Sequence, residues 1–196
     1  MHLVGGRRSG AHVEPEAVPQ RYRFGMETWD ALRARRNVRS YSDRPITEED
    51  LGRIIEAAWR TPSSSNSQRW GFIVVTDPDQ LVRLATVWRG AGHIATSKAT
   101  IVLVAPKGED DRTQESTQYD LGQATMSVMI AAADLGIGSG HAAVGEQELA
   151  REILGFPEDY FCGWLIALGY PADRPLTPIV KLNRRPIDEV VHRGRW

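Results

Sequence analysis

The chain has 196 residues, a length that allows one domain of ordinary size and leaves little room for a second. Hydrophobic residues make up 41% and charged residues 25%, which is the composition of a globular protein with a normal core. The 24 Lys and Arg residues nearly balance the 25 Asp and Glu residues, and the formal net charge is -1. This balance provides no global positive field, so we expect neither nucleic acid nor an anionic membrane as the main partner.

Two further features of the sequence narrow the class of protein. No apolar run reaches the roughly 18 residues that a membrane span needs, and the N-terminal residues contain no apolar signal region. The single cysteine, Cys162, has no partner for an internal disulfide, which also excludes a CxxC pair and a multi-thiolate metal centre. These features predict a protein of the reducing cytoplasm.

The N-terminal part of the chain changes character near Met26. Residues 1–25 combine Gly, Pro and Arg without periodicity, which predicts a flexible leader before a single domain over 26–196. A short amphipathic helix is predicted from Thr28 and ends in a basic run. Thr47 followed by three acids predicts a capped helix that runs to about Trp59. The following TPSSSNSQRW segment is rich in Ser and Asn, which favours a loop.

The rest of the chain alternates short apolar runs with helical patterns. Three runs have the length and the flanking turn residues of buried strands: GFIVVT, TIVLVA at 100–105 and CGWLIALGY. Helices are predicted from Asp77–Pro78, from Gln118 to Leu135, where Gly136 ends the helix, and from Glu146 to Leu154. Residues 107–118 are polar and predict a loop, and the Pro-rich tail from about 171 predicts an extended segment. This order predicts helices on both faces of one sheet, without deciding strand polarity.

Several common catalytic motifs are absent from the sequence. It has no Walker phosphate loop, no HExxH and no GxSxG, and GIGSGH does not fit the GxGxxG dinucleotide motif. The five histidines show no ligand spacing, so no metal site is predicted. Three segments suited to polar or anionic ligands remain: RARRNVRSY, PSSSNSQRW and Arg184-Arg185-Pro186. Taken singly, the basic run is explained more readily as a solvated surface. The loop, taken singly, is explained equally well as a turn that ends a helix.

In their order and approximate spacing, these segments and the LGIGS turn resemble the FMN-dependent nitroreductase family, over about residues 27–192. The resemblance implies an α+β fold, a three-layer α-β-α sandwich whose central sheet is mainly antiparallel. It also implies a domain-exchanged homodimer, with FMN on the sheet at the dimer interface and an extended tail that crosses to the partner.

The resemblance also assigns roles to the basic segment. Arg35 matches the arginine that binds the FMN phosphate, and Arg36 and Asn37 occupy the adjoining positions. Arg39 matches the basic residue that reaches the ribityl chain and the pyrimidine oxygen, where a positive charge stabilises the anionic reduced flavin. Many relatives have Ser at the position of Asn37, which leaves the backbone contact possible but not the same side-chain contact.

Three other groups of FMN-binding residues follow from the same resemblance. The loop that approaches the flavin from the partner subunit corresponds to Pro62, Ser63, Ser64, Asn66 and Gln68. Arg69, at the edge of this motif, replaces a common Pro. The stretch whose backbone N–H groups face flavin N5 and O4 corresponds to His141, Ala142, Ala143 and Val144. The C-terminal phosphate ligand corresponds to Arg184 or Arg185, and the spacing from Pro186 favours Arg184.

The activity implied by the resemblance is ping-pong hydride transfer from NADH or NADPH through FMN to a nitroaromatic compound, a quinone or a similar small acceptor. The cofactor would carry the chemistry, so no catalytic side chain of the protein is predicted. Two alternatives stay open: a flavin-dependent dehalogenase or dehydrogenase on the same fold, and a non-catalytic flavin-binding protein. A nucleic-acid module built on residues 33–39 is disfavoured by the net charge and by the flanking acids Glu27, Asp30 and Asp43.

Overall fold

The computed structural model describes residues 26–196, so the predicted flexible leader over 1–25 lies outside the described residues. Within this range the helices are α1 (Thr28–Ala34), α2 (Glu48–Trp59), α3 (Pro78–Leu84), α4 (Asp111–Asp134) and α5 (Gln147–Leu154). The strands are β1 (Gly71–Val75), β2 (Ala99–Pro106), β3 (Gly138–Ala142) and β4 (Tyr160–Gly169). Short 3-10 turns cover Ser64–Asn66, Gly92–Thr96 and Ile187–Glu189.

The strands of the described residues form one sheet in the order β1-β2-β4-β3, and every neighbouring pair is antiparallel. Leu103 pairs with Phe72 on one side and with Trp164 on the other, and His141 pairs with Ile166. This confirms the antiparallel sheet implied by the family resemblance. A single parallel bridge from Asn37 to Ser139 brings the basic segment beside β3.

The two faces of the sheet are covered by different helices because side chains alternate along each strand. Ile101 and Ile166 belong to a buried cluster shared with α2 and α4. Val102 and Leu165 belong to the opposite cluster, shared with α3 and α5. The molecule is therefore the three-layer α-β-α sandwich that the resemblance implied. Within residues 26–196, no helix combines the length and the apolar character that a membrane crossing needs.

The predicted ends of several helices are confirmed. The side chain of Thr47 accepts a hydrogen bond from Asp50 N at 3.1 Å, and that of Asp77 accepts one from Gln80 N at 2.8 Å. Gly136 has φ +70° at the end of α4, where Ile137 N donates to Ala132 O at 2.8 Å. This Schellman motif explains the glycine, because side chains rarely adopt that conformation.

Two predictions along the chain are wrong. The polar segment 107–118 is not a loop throughout, because α4 begins at Asp111, with Asp110 as its cap. Its polar residues form the outward face of a helical turn, a pattern that resembles a loop when only the apolar positions are counted. Strand β3 was not predicted either, since its sequence GSGHA lacks the β-branched residues that indicate strands.

Candidate active site

The basic segment and β3 lie against each other through their backbones. Val38 N donates to Ser139 O at 2.9 Å, beside the Asn37–Ser139 bridge. The two glycines of β3 make this approach possible. A Cβ atom on Gly138 would lie 2.7 Å from a methyl group of Val38, and one on Gly140 would overlap the carbonyl oxygen of Val38. The GIGSG turn therefore serves close packing of the basic segment.

Four positively charged or titratable side chains meet at this junction: Arg35, Arg39, His93 and His141. We refer to them as the β3 cationic cluster. Within residues 26–196, His93 bonds to backbone carbonyls, with Nε2 at 3.2 Å from Gly140 O, whereas the side chains of Arg35, Arg39 and His141 form no hydrogen bond. No carboxylate of that part of the chain forms an ion pair with any of the four. The cluster thus holds positive charge without an internal counter-ion.

Three buried nitrogens of the cluster have no hydrogen-bond partner in the described residues: Arg35 Nε, His93 Nδ1 and His141 Nδ1. His93 Nε2 lies 3.2 Å from the Gly140 carbonyl oxygen, and the Gly90 backbone also acts on the pKa of this ring. A buried polar atom without a partner costs roughly 1–3 kcal/mol, so such atoms are uncommon away from functional sites. The arrangement is that of a site which a polar or anionic ligand would complete.

Burial and the neighbouring guanidinium groups lower the pKa of both histidines. Burial is the largest cause that lowers the pKa of His141, and the charges of Arg39 and Arg35 lower it further. The pKa of His93 is lowered for the same first reason, with a smaller contribution from Arg39. An anion at the cluster would act in the opposite direction and raise both pKa values.

Arg36 and Asn37, the other predicted ligands of this segment, have different surroundings. The guanidinium group of Arg36 donates to the Asp173 carboxylate at 2.7 Å and to the Arg174 carbonyl at 3.0 Å. Arg36 therefore ties the start of the tail to the basic segment of the same chain. The side chain of Asn37 is exposed, while its backbone makes the bridge to β3.

The loop between α2 and β1 has an unusual backbone. Ser65, Asn66 and Gln68 have positive φ angles of 54°, 53° and 51°, a left-handed conformation that residues with side chains rarely adopt. Gln68 N donates to Ser63 Oγ at 2.9 Å, and Gln68 Nε2 donates to Asn66 O at 3.3 Å. Strained backbone of this kind persists where the surrounding structure holds it, and it concentrates at functional sites.

A buried carboxylate on α4 holds this loop in place. Ser64 N donates to both oxygens of Asp120, at 3.1 and 3.0 Å, and Ser64 Oγ donates to one of them at 3.2 Å. Asp120 is only 3% exposed. Ser64 therefore anchors the loop on α4, and its assignment to the flavin stays a prediction. Neither Asp120 nor His93 was singled out from the sequence, although an acid beside Leu121 on an apolar helix stripe was an available signal.

The loop has a cavity on each of two sides. Pro62, Asn66 and Gln68, which the resemblance assigns to the flavin, line a cavity of about 330 Å³ next to the end of α2. Ser65 and Arg69 line another, of about 420 Å³, next to the start of α4. Ser64, which the resemblance also assigns to the flavin, lines this second cavity as well, so the residues assigned to the flavin do not all face the same side of the loop.

The remaining predicted residues divide between the sheet and the tail. Ala142 is buried at the end of β3, and Ala143 and Val144 follow it half-buried. Both tail arginines are exposed: Arg184 Nη1 donates to Asn183 O at 2.9 Å, and Arg185 pairs with Glu189 at 3.2 Å. Within residues 26–196, no hydrogen bond or ion pair joins the tail arginines, or the loop over 62–68, to the β3 cationic cluster.

The fold and the cluster together define an α+β protein with a group of unpaired cationic side chains beside β3, an edge strand of the antiparallel sheet. The family model described as the Nitroreductase family matches residues 32–92, a stretch that contains both the basic segment and the loop. A protein of Archaeoglobus fulgidus with the provisional name NADH dehydrogenase/NAD(P)H nitroreductase is 33% identical over 166 residues, which cover 83% of this chain and 94% of the relative. The chain belongs to the nitroreductase family.

Two further similarities agree with this assignment. The FMN reductase [NAD(P)H] of Bacillus subtilis is 26% identical over 189 residues, which cover 87% of this chain and 74% of that protein. The structure of an FMN-dependent nitroreductase from Clostridium difficile superimposes with a TM-score of 0.73 at 26% identity, covering 85% of this chain and 98% of the other. The family and the fold class predicted from the sequence are confirmed.

Proposed function

We propose that the protein is an FMN-dependent oxidoreductase that uses NADH or NADPH to reduce a small acceptor such as a nitroaromatic compound or a quinone. The observation that carries the proposal is the β3 cationic cluster, which has buried, unpartnered nitrogens and no internal counter-ion. The names of the relatives support the cofactor and the reductant.

The residues of the cluster fit FMN by their chemistry. A guanidinium fork matches a phosphate group with two parallel hydrogen bonds, and Arg35 has a buried Nε with no partner within the described residues. We assign the phosphate to Arg35, with the tail arginine Arg184 as a second ligand. Backbone N–H groups from His141 to Val144 and the side chain of Arg39 are assigned to the ring.

When bound, FMN would supply the hydride chemistry, taking a hydride from NADH or NADPH and giving it to the acceptor in a ping-pong sequence. The chain contributes position and charge. Arg39 would hold a positive charge near the flavin ring and so favour its anionic reduced form, and the close approach of Val38 to Gly138 and Gly140 keeps this segment next to β3. No protein nucleophile or general acid is needed for this role.

We further propose that two copies of the chain build each site. In one chain the loop is held on α4 by Asp120, and no hydrogen bond or ion pair joins it to the cluster on β3 within residues 26–196. If both bind one FMN, they come from different subunits. A cavity of about 500 Å³ between α1, α2 and α4, with exposed Trp29 and Trp59 nearby, provides an apolar surface for the partner.

The tail carries matching apolar side chains. Val180, Ile187 and Trp196 are 88%, 76% and 98% exposed in the single chain, and such exposure marks an interaction surface. We propose that the tail beyond residue 179 covers the partner, forming an interface above the roughly 2,000 Å² typical of obligate dimers. The reducing cytoplasm remains the proposed location, in agreement with the buried, unpaired Cys162.

The enzyme activity is tested by the colour of the purified protein. A yellow protein that bleaches anaerobically with NADH or NADPH, and regains its colour with a quinone, supports the proposal. A colourless protein that does not take up added FMN contradicts it.

The dimer is tested separately by deleting the chain from Pro178 onward. We expect the full-length protein to sediment as a dimer at nanomolar concentration and the deletion variant to lose both the dimer and FMN. A full-length monomer that holds FMN, or a deletion variant that keeps it, would contradict the shared site.

A further inference from the structure

The cavity on the α4 side of the loop has the chemistry of an anion site. Its volume is about 420 Å³, and two arginines, Arg69 and Arg112, are among its lining residues. The hydroxyl groups of Ser65, Ser67 and Ser116 line it as well. Arg69 is half-buried and Arg112 is exposed, so a ligand can reach both.

Two carboxylates lie near the arginines of this cavity, Asp120 and Asp110, and the charge of Arg69 is among the causes that lower the pKa of Asp110, but neither carboxylate forms an ion pair with an arginine here. Asp120 also lines it, but its oxygens already accept hydrogen bonds from Ser64 N and Ser64 Oγ, and one of them from Gln123 as well. The nearby Asp110 caps α4 by accepting from Thr113 N at 2.7 Å, a bond that lowers the pKa of Asp110. Within residues 26–196, neither arginine forms an ion pair or a hydrogen bond.

We propose that this cavity is a subsite for the phosphate groups of the dinucleotide reductant, an inference that rests on the proposed function. Two ligands would alternate at the flavin, the dinucleotide reductant and the acceptor. Only the dinucleotide carries phosphate groups, since simple nitroaromatic compounds and quinones contain none. Two guanidinium groups flanked by hydroxyls match a pyrophosphate, which presents several acceptor oxygens at once.

The loop also gives the subsite a relation to the flavin site. Three of the residues assigned to the flavin, Pro62, Asn66 and Gln68, face one side of the loop. Ser65 and Arg69 face the other side, together with Ser64, which is also assigned to the flavin. A reductant held by its phosphates on the α4 side would lie next to the loop that borders the cofactor. Asp120 would then position both sites, since it fixes the backbone between them through Ser64.

The test measures ADP binding to the FMN-loaded protein by calorimetry, because ADP carries the pyrophosphate that NADH and NADPH share. We expect the Kd for ADP to rise about tenfold for Arg69→Ala and for Arg112→Ala, and more in the double variant. The matched control is Arg89→Ala, since Arg89 is an exposed arginine that stacks on Trp88 outside this cavity. Arg69→Gln and Arg112→Gln should reproduce the losses, and thermal melting checks that each variant folds.

Steady-state kinetics assign the site to the reductant. We expect the double variant to raise the KM for NADH and NADPH while the KM for an uncharged quinone and the affinity for FMN stay unchanged. Wild-type affinity for ADP in the double variant, or an equal rise in the KM of the quinone, would overturn the proposal.

The outcomes also separate this inference from the proposed function. A protein that binds FMN and turns over but does not bind ADP would overturn only the subsite. A protein that binds ADP through Arg69 and Arg112 but takes up no FMN would overturn the proposed function while supporting a phosphate site. The salt dependence of ADP binding should weaken in each variant if the contacts are ionic.

Discussion

The β3 cationic cluster and the 62–69 loop are both assigned to ligands, but they are held in opposite ways. Backbone packing positions the cluster, through the Asn37–Ser139 bridge and the glycines of β3, and within residues 26–196 its two arginines form no ion pair. The loop has a strained backbone, which a side chain on another element, Asp120, holds. A substitution that adds volume should therefore damage the cluster, and one that removes a single carboxylate should damage the loop.

The largest effect is expected from Gly140→Ala. The added Cβ would overlap the carbonyl oxygen of Val38 and lie 3.1 Å from His93 Nε2, so β3 and the basic segment must separate. We expect a loss of about 3 kcal/mol in the free energy of unfolding, the upper part of the usual overpacking range. Urea denaturation measures it.

Gly52→Ala is the matched control, because no atom lies within 4 Å of the Cβ it would add in α2. It should be neutral or stabilising, by up to about 1 kcal/mol, because Ala favours helix. Equal losses at both glycines would show that the approach of β3 to Val38 is not the constraint.

Arg35→Ala should weaken FMN binding by about 1.5 to 3 kcal/mol, the range for lost hydrogen bonds to a charged group. Its removal also relieves the uncompensated charge of the cluster, so the protein without FMN should not become less stable. Fluorescence titration with FMN measures the first effect and urea denaturation the second.

Arg33→Ala, at an arginine that pairs with Asp30 at 3.6 Å, should leave FMN affinity nearly unchanged. Similar losses at both positions would indicate a general surface charge effect.

Asp120→Ala should cost about 1 to 2 kcal/mol of stability, because Ser64 N and Ser64 Oγ lose their acceptor on α4. We also expect faster proteolysis within residues 62–69, since the left-handed residues there would lose their support. Glu115→Ala, at an exposed acid on the same helix, is the control and should change neither measurement. Unchanged proteolysis in Asp120→Ala would mean that the loop holds its own conformation.

The smallest effect concerns the pH dependence of stability without FMN. The folded state lowers the pKa of His93 and His141 from the ordinary 6.5, so the unfolded chain binds more protons below that pH. Their contribution to stability is complete above about pH 6.5 and is lost as the pH falls. Urea denaturation at pH 7.5 and 5.5 should show this loss, with a smaller difference in His141→Gln. Arg39→Ala should also reduce it, because one cause of the lowered pKa is removed. An equal pH dependence of stability in the wild type, His141→Gln and Arg39→Ala would contradict the conclusion that the cluster lowers the pKa of its histidines.

Local signals in the sequence were sufficient to predict most of the helix ends and three of the four strands of the described residues. Thr47, Asp77 and Gly136 mark helix ends because their effects depend on backbone groups only a few residues away. The apolar runs of β1, β2 and β4 predicted buried strands for the same local reason. Strand β3 was missed because its glycines serve a contact with Val38, about a hundred residues earlier in the chain, and not strand propensity.

The candidate site was likewise only partly predictable from the sequence. The types of residue suited to a phosphate, and the family to which they belong, could be read from the basic segment and the PSSSNSQRW loop. Their partners could not be read, because each partner is distant in sequence: Arg36 pairs with Asp173, and Asp120 holds Ser64. Burial and charge compensation depend on which groups the folded chain brings together. The sequence alone therefore determined the family and the ligand chemistry. Only the tertiary structure decided which arginines stay unpaired, which are used to hold the chain, and where His93 lies.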